Sequence, residues 1–355
     1  MQRMSQLALK PDFEEAARRC AAFWAGEVLD RPCVSVTVHE QDGPGSPSYR
    51  QKWEEPEAAV QRAAEHLRSV RWLGEAMPYA SPDLGPDQFA AWLGAELRFS
   101  PDSANTNWVE PFVDDWEAAM PLRIEGDSPA WRKTLSLMDS LAEAGDGRFM
   151  VGMLDLHGNF DALSAIRGPD RLALDFYDCP DVLREAARQV GQLFAPAFRR
   201  LEEAGRMPET GYVGWLNAYS PTRFAVTQCD FACMVSPQMF RDYILPELER
   251  EWAFLEHAIY HYDGVVALQH LDDLLAEPDL DAIQWVPGAG EKPAYLWDEL
   301  LLRMIEAGKG VIVHAPGEHV RRLHEVLGPE RVFYQTSCET VSEAEELLGW
   351  LSRNT

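Results

Sequence analysis

The feature that most constrains the fold is a regular alternation of short apolar runs with helical segments, from about residue 148 to the C-terminus. The runs AIYHYD, AIQWVP, GVIVHA and VFYQTS are rich in β-branched and aromatic residues, and a helical pattern follows each. Strands that alternate with helices predict βα units and a parallel sheet. About eight such strands across the chain favour a (β/α)8 TIM barrel. The alternative is a doubly wound open sheet, although no GxGxxG or GxxxxGK[ST] motif follows any strand.

The remaining sequence predicts how a single domain would be organised. The 355 residues, 46% of them hydrophobic, can form one large core over 1–355. Residues 1–30 predict an N-terminal helix, and residues 54–75 read as a second helix. Residues 76–130 are rich in Pro, Asp and Trp and predict a loop-rich insertion over the barrel mouth.

Charge and cysteine content exclude some classes of partner. The formal net charge of −26 is unsuited to nucleic acid or anionic membranes, which bind clustered Lys and Arg. No stretch approaches the roughly 18 apolar residues that span a bilayer. The first twenty residues lack the apolar core of a signal peptide, and the six cysteines form no CxxC pair. We therefore expect a cytoplasmic protein with free thiols.

Polar side chains recur where the predicted strands end. In α/β barrels the site lies at the C-terminal ends of the strands. Every strand of a core must end in a loop, so polar residues at a strand end are expected for structural reasons alone. Repeated His, Asp, Gln, Asn and Trp at these ends instead favour a substrate site. The candidate substrate-binding residues are Trp108, His157, Asn159, Trp215, Asn217, Tyr262, Gln284, Trp285, His314 and Gln335.

The segment His261-Tyr262-Asp263 is the strongest candidate for chemistry. On an extended strand His261 and Asp263 point to the same face, with Tyr262 opposite. Such a pair suits a Zn²⁺ site, with Cys338 as a third ligand, because zinc accepts nitrogen, oxygen and sulfur donors. It equally suits a general base with an orienting carboxylate. Asp230 and His270 are further catalytic candidates. A buried histidine and a small apolar cysteine are the structural alternatives.

The twelve tryptophans indicate what kind of substrate could bind. Flat apolar faces beside amide and carboxylate groups suit a small ring-shaped or sugar-like molecule. Core packing is the structural alternative for each tryptophan.

Several segments resemble the uroporphyrinogen decarboxylase superfamily. CDFACMVSPQMFRDYILPELER at 229–250 is similar to its SP-x-x-F-R helix, and HGNFDALSAIRGPDRLALDFYDCPDVLREAARQV is similar to the segment before it. IYHYDG stands where that superfamily has a strand ending in histidine. The segment GKGVIVHAPGEHVRRLHEVLGPERVFYQTSC resembles the last strands of that superfamily in the arrangement of its strands. The resemblance covers roughly residues 150–345 and implies a barrel. It also implies either cofactor-free decarboxylation of porphyrinogen acetates or methyl transfer between a corrinoid and a thiol at a zinc site with H-x-C…C ligands.

The sequence departs from both chemistries. The decarboxylases' arginine-rich N-terminal segment is absent. For the methyltransferases, His261 and Cys338 match zinc ligands, but Asp263 replaces the middle cysteine. The first hypothesis is a zinc-dependent methyltransferase-like enzyme that uses a small methylated substrate or a corrinoid carried by a separate protein, since this chain has no D-x-H-x-x-G motif.

Two alternatives remain open. One is a metal-free lyase in which His261 and Asp263 form an acid/base pair and Asp230 stabilises a developing cation. The other is a non-catalytic barrel that binds a ligand. The partners considered are a small-molecule substrate, a corrinoid protein and a second copy of the chain as a homodimer.

Overall fold

Thirteen β-strands form the framework of residues 7–40 and 42–355, the part of the chain described by a computed structural model. They are β1 Cys33–His39, β2 Val70–Gly74, β3 Tyr79–Ala80, β4 Glu96–Phe99, β5 Asn107–Glu110, β6 Met150–Val151, β7 Tyr212–Val213, β8 Tyr219–Ser220, β9 Phe224–Thr227, β10 His257–Asp263, β11 Ala282–Val286, β12 Gly310–His314 and β13 Val332–Ser337.

Helices fill most of the intervals between these strands. The α-helices are α1 Phe13–Trp24, α2 Tyr49–Glu54, α3 Pro56–Arg68, α4 Gln88–Trp92, α5 Trp116–Ala119, α6 Pro129–Gly145, α7 Asn159–Arg167, α8 Pro169–Asp178, α9 Pro180–Ala204, α10 Met207–Thr210, α11 Pro237–Met239, α12 Leu245–Trp252, α13 Leu271–Ala276, α14 Asp298–Glu306, α15 Gly317–Leu327 and α16 Val341–Asn354. Short 3₁₀ helices cover Asp230–Met234, Val265–His270 and Ala294–Leu296, and a π-helix covers Phe240–Ile244.

The largest sheet has seven strands in the order β2-β1-β13-β12-β11-β10-β9. Every neighbouring pair is parallel except β1 with β2. The predicted parallel sheet in a mixed α/β fold is therefore confirmed. Because these strands are parallel, the C-terminal ends of β9 to β13 lie along one edge of the sheet.

The central strands are continuous apolar runs because they are covered on both faces. Four of the five residues of β12 are buried, and His314 is the exposed fifth. On one side lie helices such as α15, which buries Val320, Leu323 and Leu327 along a single stripe. Continuous burial is typical of parallel strands between two layers. Among the described residues, no helix is long and apolar enough to cross a membrane.

Three predicted segments differ from the observed elements. The helix predicted over 54–75 stops at Arg68, because residues 70–74 pair with β1 as strand β2. Tertiary pairing here overrides the helical pattern. In the predicted N-terminal helix over 1–30, residues 1–6 lie outside the described residues, and the helix itself covers Phe13–Trp24. The segment 76–130 is not only loop, because it contains β3, β4, β5 and the fully buried helix α4.

Candidate functional site

The C-terminal ends of β6, β9, β10 and β11 bring a group of carboxylates, imidazoles and amides together. These residues include two overlapping sets of three, and within each set the ligand atoms lie within 4.8 Å of one another. One set is Asp230, His261 and Asp263, and the other is His157, Asp161 and Asp230. Asp230 begins the 3₁₀ turn that follows β9, so it stands beside the end of β10. Asp230 therefore belongs to both sets.

Asp230, His261 and Asp263 have the arrangement of a metal-ligand set. His261 and Asp263 are two residues apart on β10, so both face Asp230. The set predicted from sequence joined Cys338 to His261 and Asp263. The structure instead brings Asp230 to them and leaves Cys338 outside both sets. The donor set is thus one nitrogen and two carboxylates, which is richer in oxygen than expected.

His261 is held in a defined orientation. Its Nδ1 lies 2.6 Å from Oε1 of Gln284 on β11. The amide oxygen can only accept a hydrogen bond, so Nδ1 carries the proton and Nε2 is left as an acceptor or ligand atom. The imidazole ring and the Trp215 ring pack edge to face, with ring centroids 5.0 Å apart.

The charge balance around Asp263 favours a cation. Burial raises the pKa of Asp263, nearby His261 acts in the opposite direction, and the like charge of Asp230 raises it further. A bound cation would relieve the repulsion between Asp230 and Asp263.

The second set is organised around His157. Its Nε2 lies 3.0 Å from Asp155 Oδ2, and its Nδ1 lies 3.6 Å from Asp161 Oδ2. Burial alone would lower the pKa of His157, but Asp155, Asp161 and Asp230 outweigh it and raise the pKa to about 10. Both ring nitrogens face carboxylates, so the surroundings of His157 favour its protonated form when no cation is bound.

The backbone around His157 is strained. His157 and Asn159 have φ of 41° and 47°, a left-handed conformation that is uncommon outside glycine. Asn159 is held there by its Nδ2, which donates to Gln228 O at 3.0 Å and to Glu251 Oε1 at 3.1 Å. Strain of this kind persists only where the surroundings fix it, and it clusters at functional sites.

Asp161 positions the turn that carries Asp230. Its carboxylate accepts the backbone N–H of Asp230 at 3.0 Å and that of Phe231 at 2.9 Å. Burial raises the pKa of Asp161 to about 6; His157 opposes this shift and Asp230 adds to it. Asp161 is absent from the candidates named from the sequence because it lies in the first turn of α7 and not at a strand end. Its position four residues after His157 is the signal that could have found it.

A cavity of about 360 Å³ opens beside these sets. Asp87, His157, Asp161 and Asp230 supply its charged wall, and Val109 and Phe231 supply part of its apolar wall. Burial also raises the pKa of Asp87, with the backbone N–H of Val109 and His157 acting against that shift. The volume suits a small molecule.

Two buried polar atoms near the sets have no hydrogen-bond partner among the described residues. They are Trp215 Nε1, a donor, and Asp155 Oδ1, an acceptor. Buried polar atoms in native proteins are almost always paired, so both atoms point to a ligand or to water. Asp155 and Gln228 are not among the candidates named from the sequence. In the structure Gln228 contacts both His157 and Asp155.

Several predicted residues are buried away from the sets. His270 is 1% exposed, stacks on Phe240 with ring centroids 4.4 Å apart, and contacts Ala232 O through Nε2 at 3.0 Å. Tyr262 points to the opposite face from His261, and its hydroxyl donates to Ala267 O. Trp285 packs against Tyr262 in the core.

Other predicted residues bind backbone or lie on the surface. The Asn217 amide is paired with Met77, accepting from its N at 2.7 Å and donating to its O at 2.9 Å. Gln335 donates to Leu216 O. Trp108 is 42% exposed on β5, and His314 is exposed at the end of β12. Cys338 follows β13 and lines a separate cavity with Arg321 and Glu343.

Comparison with known proteins gives a likeness to solved structures. No protein-family model matches the chain, and no curated protein matches it. Among solved structures, the chain is similar to a methyltransferase from Methanosarcina mazei, with a TM-score of 0.60 and 15% sequence identity. The match covers 96% of this chain and 98% of that chain. At this identity the likeness shows a shared fold along nearly the whole length.

Proposed function

We propose that this protein is a metal-dependent, methyltransferase-like enzyme that holds Zn²⁺ on Asp230, His261 and Asp263. The observation that carries the proposal is that ligand atoms of these three residues lie within 4.8 Å of one another at the ends of two neighbouring parallel strands. The methyl donor would be a small methylated molecule or a corrinoid on a separate protein. The structural likeness to a methyltransferase supports this class of reaction.

The three residues fit a catalytic zinc ion. Catalytic sites commonly use three protein ligands drawn from His, Asp, Glu and Cys and leave one position for water or substrate. His261 offers Nε2 because Gln284 occupies Nδ1. Asp230 is exposed, so the open coordination position of the zinc ion would face solvent rather than the core. A bound zinc ion would lower the pKa of a coordinated thiol or water and so supply a nucleophile.

The neighbouring residues have distinct positioning roles in this proposal. Gln284 fixes the tautomer of His261, and Trp215 packs against its ring. Asp161 holds the turn of Asp230 through two backbone N–H groups. His157, fixed between Asp155 and Asp161, would place a positive charge that partly offsets the surrounding carboxylates.

We further infer that the strands close into a (β/α)8 barrel. The short strands β3, β6 and β7 would span the gap between β2 and β9, the edge strands of the seven-stranded sheet. Gly152 N donates to Ala80 O at 2.9 Å, and Met153 N donates to Val213 O at 2.8 Å, which links β3, β6 and β7 in sequence. The Asn217 side chain ties the segment after β7 to Met77. These contacts support a closed arrangement with the candidate site at its mouth.

Metal analysis of protein purified without chelator tests the function. We expect close to one equivalent of zinc, which is lost in His261→Ala and in Asp230→Asn/Asp263→Asn. Asp42→Asn, a change in a loop away from both sets, should leave the metal content unchanged. Less than about 0.2 equivalents in the parent protein, unchanged by His261→Ala, would rule the site out.

A metal-free acid/base enzyme is the second candidate, because His157 lies between two carboxylates and lines the 360 Å³ cavity. In that case His157 or His261 would donate a proton, and Asp161 or Asp263 would accept one. An activity that chelators do not affect, and that Asp263→Asn abolishes, would favour it over the metal enzyme.

A further inference from the structure

A second cavity, of about 150 Å³, lies between α2, α3 and β3. Lys52, Ser46 and Ser81 line it with polar groups, and Ala63 and Leu67 line it with apolar ones. Tyr79 forms a further wall, and its hydroxyl donates to Trp215 O at 3.0 Å. Tyr79 thus stands between this cavity and the residue that contacts His261.

The charge of this cavity is unusual for so acidic a chain. The net charge is −26, and the cavity beside Asp230 has three carboxylates in its wall. The lining of the Lys52 cavity contains a lysine and no carboxylate. An anion inside it would meet an ammonium group without facing a like charge in the wall.

The Lys52 ammonium has unused hydrogen-bonding capacity. It has three N–H donors, and its described hydrogen bond is to the backbone oxygen of Asp83, at 2.8 Å. Among the described residues no ion pair joins it to the Asp83 carboxylate, whose Oδ1 accepts from Gly85 N and Gln88 Nε2. Burial lowers the pKa of Lys52, and Asp83 only partly opposes this shift. A ligand anion would satisfy the remaining donors.

We propose that this cavity binds the carboxylate group of a short-chain aliphatic acid. Lys52, Ser46 and Ser81 would hold the carboxylate, and Ala63 and Leu67 would contact the hydrocarbon chain. The volume admits an acid of about two to four carbons. The proposal does not depend on a metal at Asp230, His261 and Asp263, and it can be tested whether or not that site binds zinc.

Calorimetric titration of the full chain with propionate, propionamide and inorganic phosphate tests the proposal. Propionate should bind in the millimolar range, and its neutral isostere propionamide should bind at least about tenfold more weakly. Lys52→Met should abolish propionate binding, whereas Lys292→Met, at an exposed lysine, should not change it. Ser46→Ala, in the loop before α2, is a milder change and should weaken binding severalfold.

Three results would overturn the proposal. The first is no binding of propionate to the parent protein at about 50 mM. The second is propionate binding that neither Lys52→Met nor Ser46→Ala alters. The third is Lys52-dependent binding of phosphate with none of propionate, which would assign the cavity to a different anion.

Discussion

The Nδ1 atom of His261 lies 2.6 Å from the Oε1 atom of Gln284, and the two residues stand opposite each other on the parallel strands β10 and β11. The register of the sheet therefore fixes the imidazole orientation. Since Nδ1 is occupied, Nε2 is the nitrogen available to a metal or a substrate. Outer partners of this kind are nearly as important to metal sites as the ligands themselves.

Gln284→Leu should weaken zinc binding by about 10- to 100-fold, because the imidazole loses the partner that fixes its tautomer and orientation. Competition with a chromophoric chelator measures the change. Gln61→Leu, at an exposed position on α3, is the matched control and should bind zinc as the parent does. Equal affinity in Gln284→Leu and the parent would show that His261 needs no orienting partner.

Asp263→Cys should change which metal the site prefers. A thiolate is a softer ligand than a carboxylate, so the variant should favour Zn²⁺ over Mn²⁺ by at least about tenfold more than the parent does. Parallel titrations with the two ions give this ratio. An unchanged ratio would mean that Asp263 does not contact the ion.

Cys338→Ser should leave zinc stoichiometry and affinity unaltered. Cys338 lies outside both ligand sets and lines a cavity with Arg321 and Glu343. His261→Ala, measured in the same experiment, should lose the metal. Loss of zinc in Cys338→Ser would instead restore the ligand set predicted from the sequence.

The sequence predicted the parallel sheet, and it placed His261 and Asp263 at a strand end, because both follow from local periodicity. The two-residue alternation along β10 placed His261 and Asp263 on one face and Tyr262 on the other. Which further residue joins them depends on how distant loops pack. The turn of Asp230 is set by Asp161, which lies 69 residues earlier in the chain. No local pattern reports such a contact.

The side chains near the strand ends differ in whether their hydrogen-bonding groups have partners. Asn217 and Gln335 satisfy backbone groups, whereas Trp215 and Asp155 retain unpaired buried atoms. The sequence treats all four alike, because hydrogen-bond satisfaction depends on tertiary neighbours. Trp285 and His270 are likewise buried by packing that their sequence positions do not reveal.

Asn217→Ala should reduce the free energy of unfolding by about 1–3 kcal/mol, because the backbone N–H and C=O of Met77 lose their partner. Asn217 has φ of 52°, so part of the loss would come from placing alanine in a left-handed conformation. Asn217→Gly removes that part and serves as the control. Denaturant unfolding measures both variants. Full stability in both would contradict a structural role and favour substrate contact.

Stability should fall between about pH 4.5 and pH 8 because of Glu251. This carboxyl is buried beside Asn159, and burial raises its pKa to about 8; the hydrogen bond from Asn159 opposes the shift, and the charges of Asp161 and Glu247 add to it. The unfolded chain releases the proton near the ordinary glutamate pKa, whereas the folded protein retains it until about pH 8. The folded state therefore binds more protons across this window, and its free energy of unfolding decreases as the pH rises, by up to a few kcal/mol.

Glu251→Gln should remove this contribution, since a neutral amide can still accept the hydrogen bond from Asn159. Thermal unfolding at pH 5 and pH 8.5 should then give a smaller difference in Tm for the variant than for the parent. Glu249→Gln, at an exposed position on the same helix, should retain the parent's pH dependence. The same Tm difference in Glu251→Gln and the parent would show that Glu251 does not carry a proton into the folded state at neutral pH.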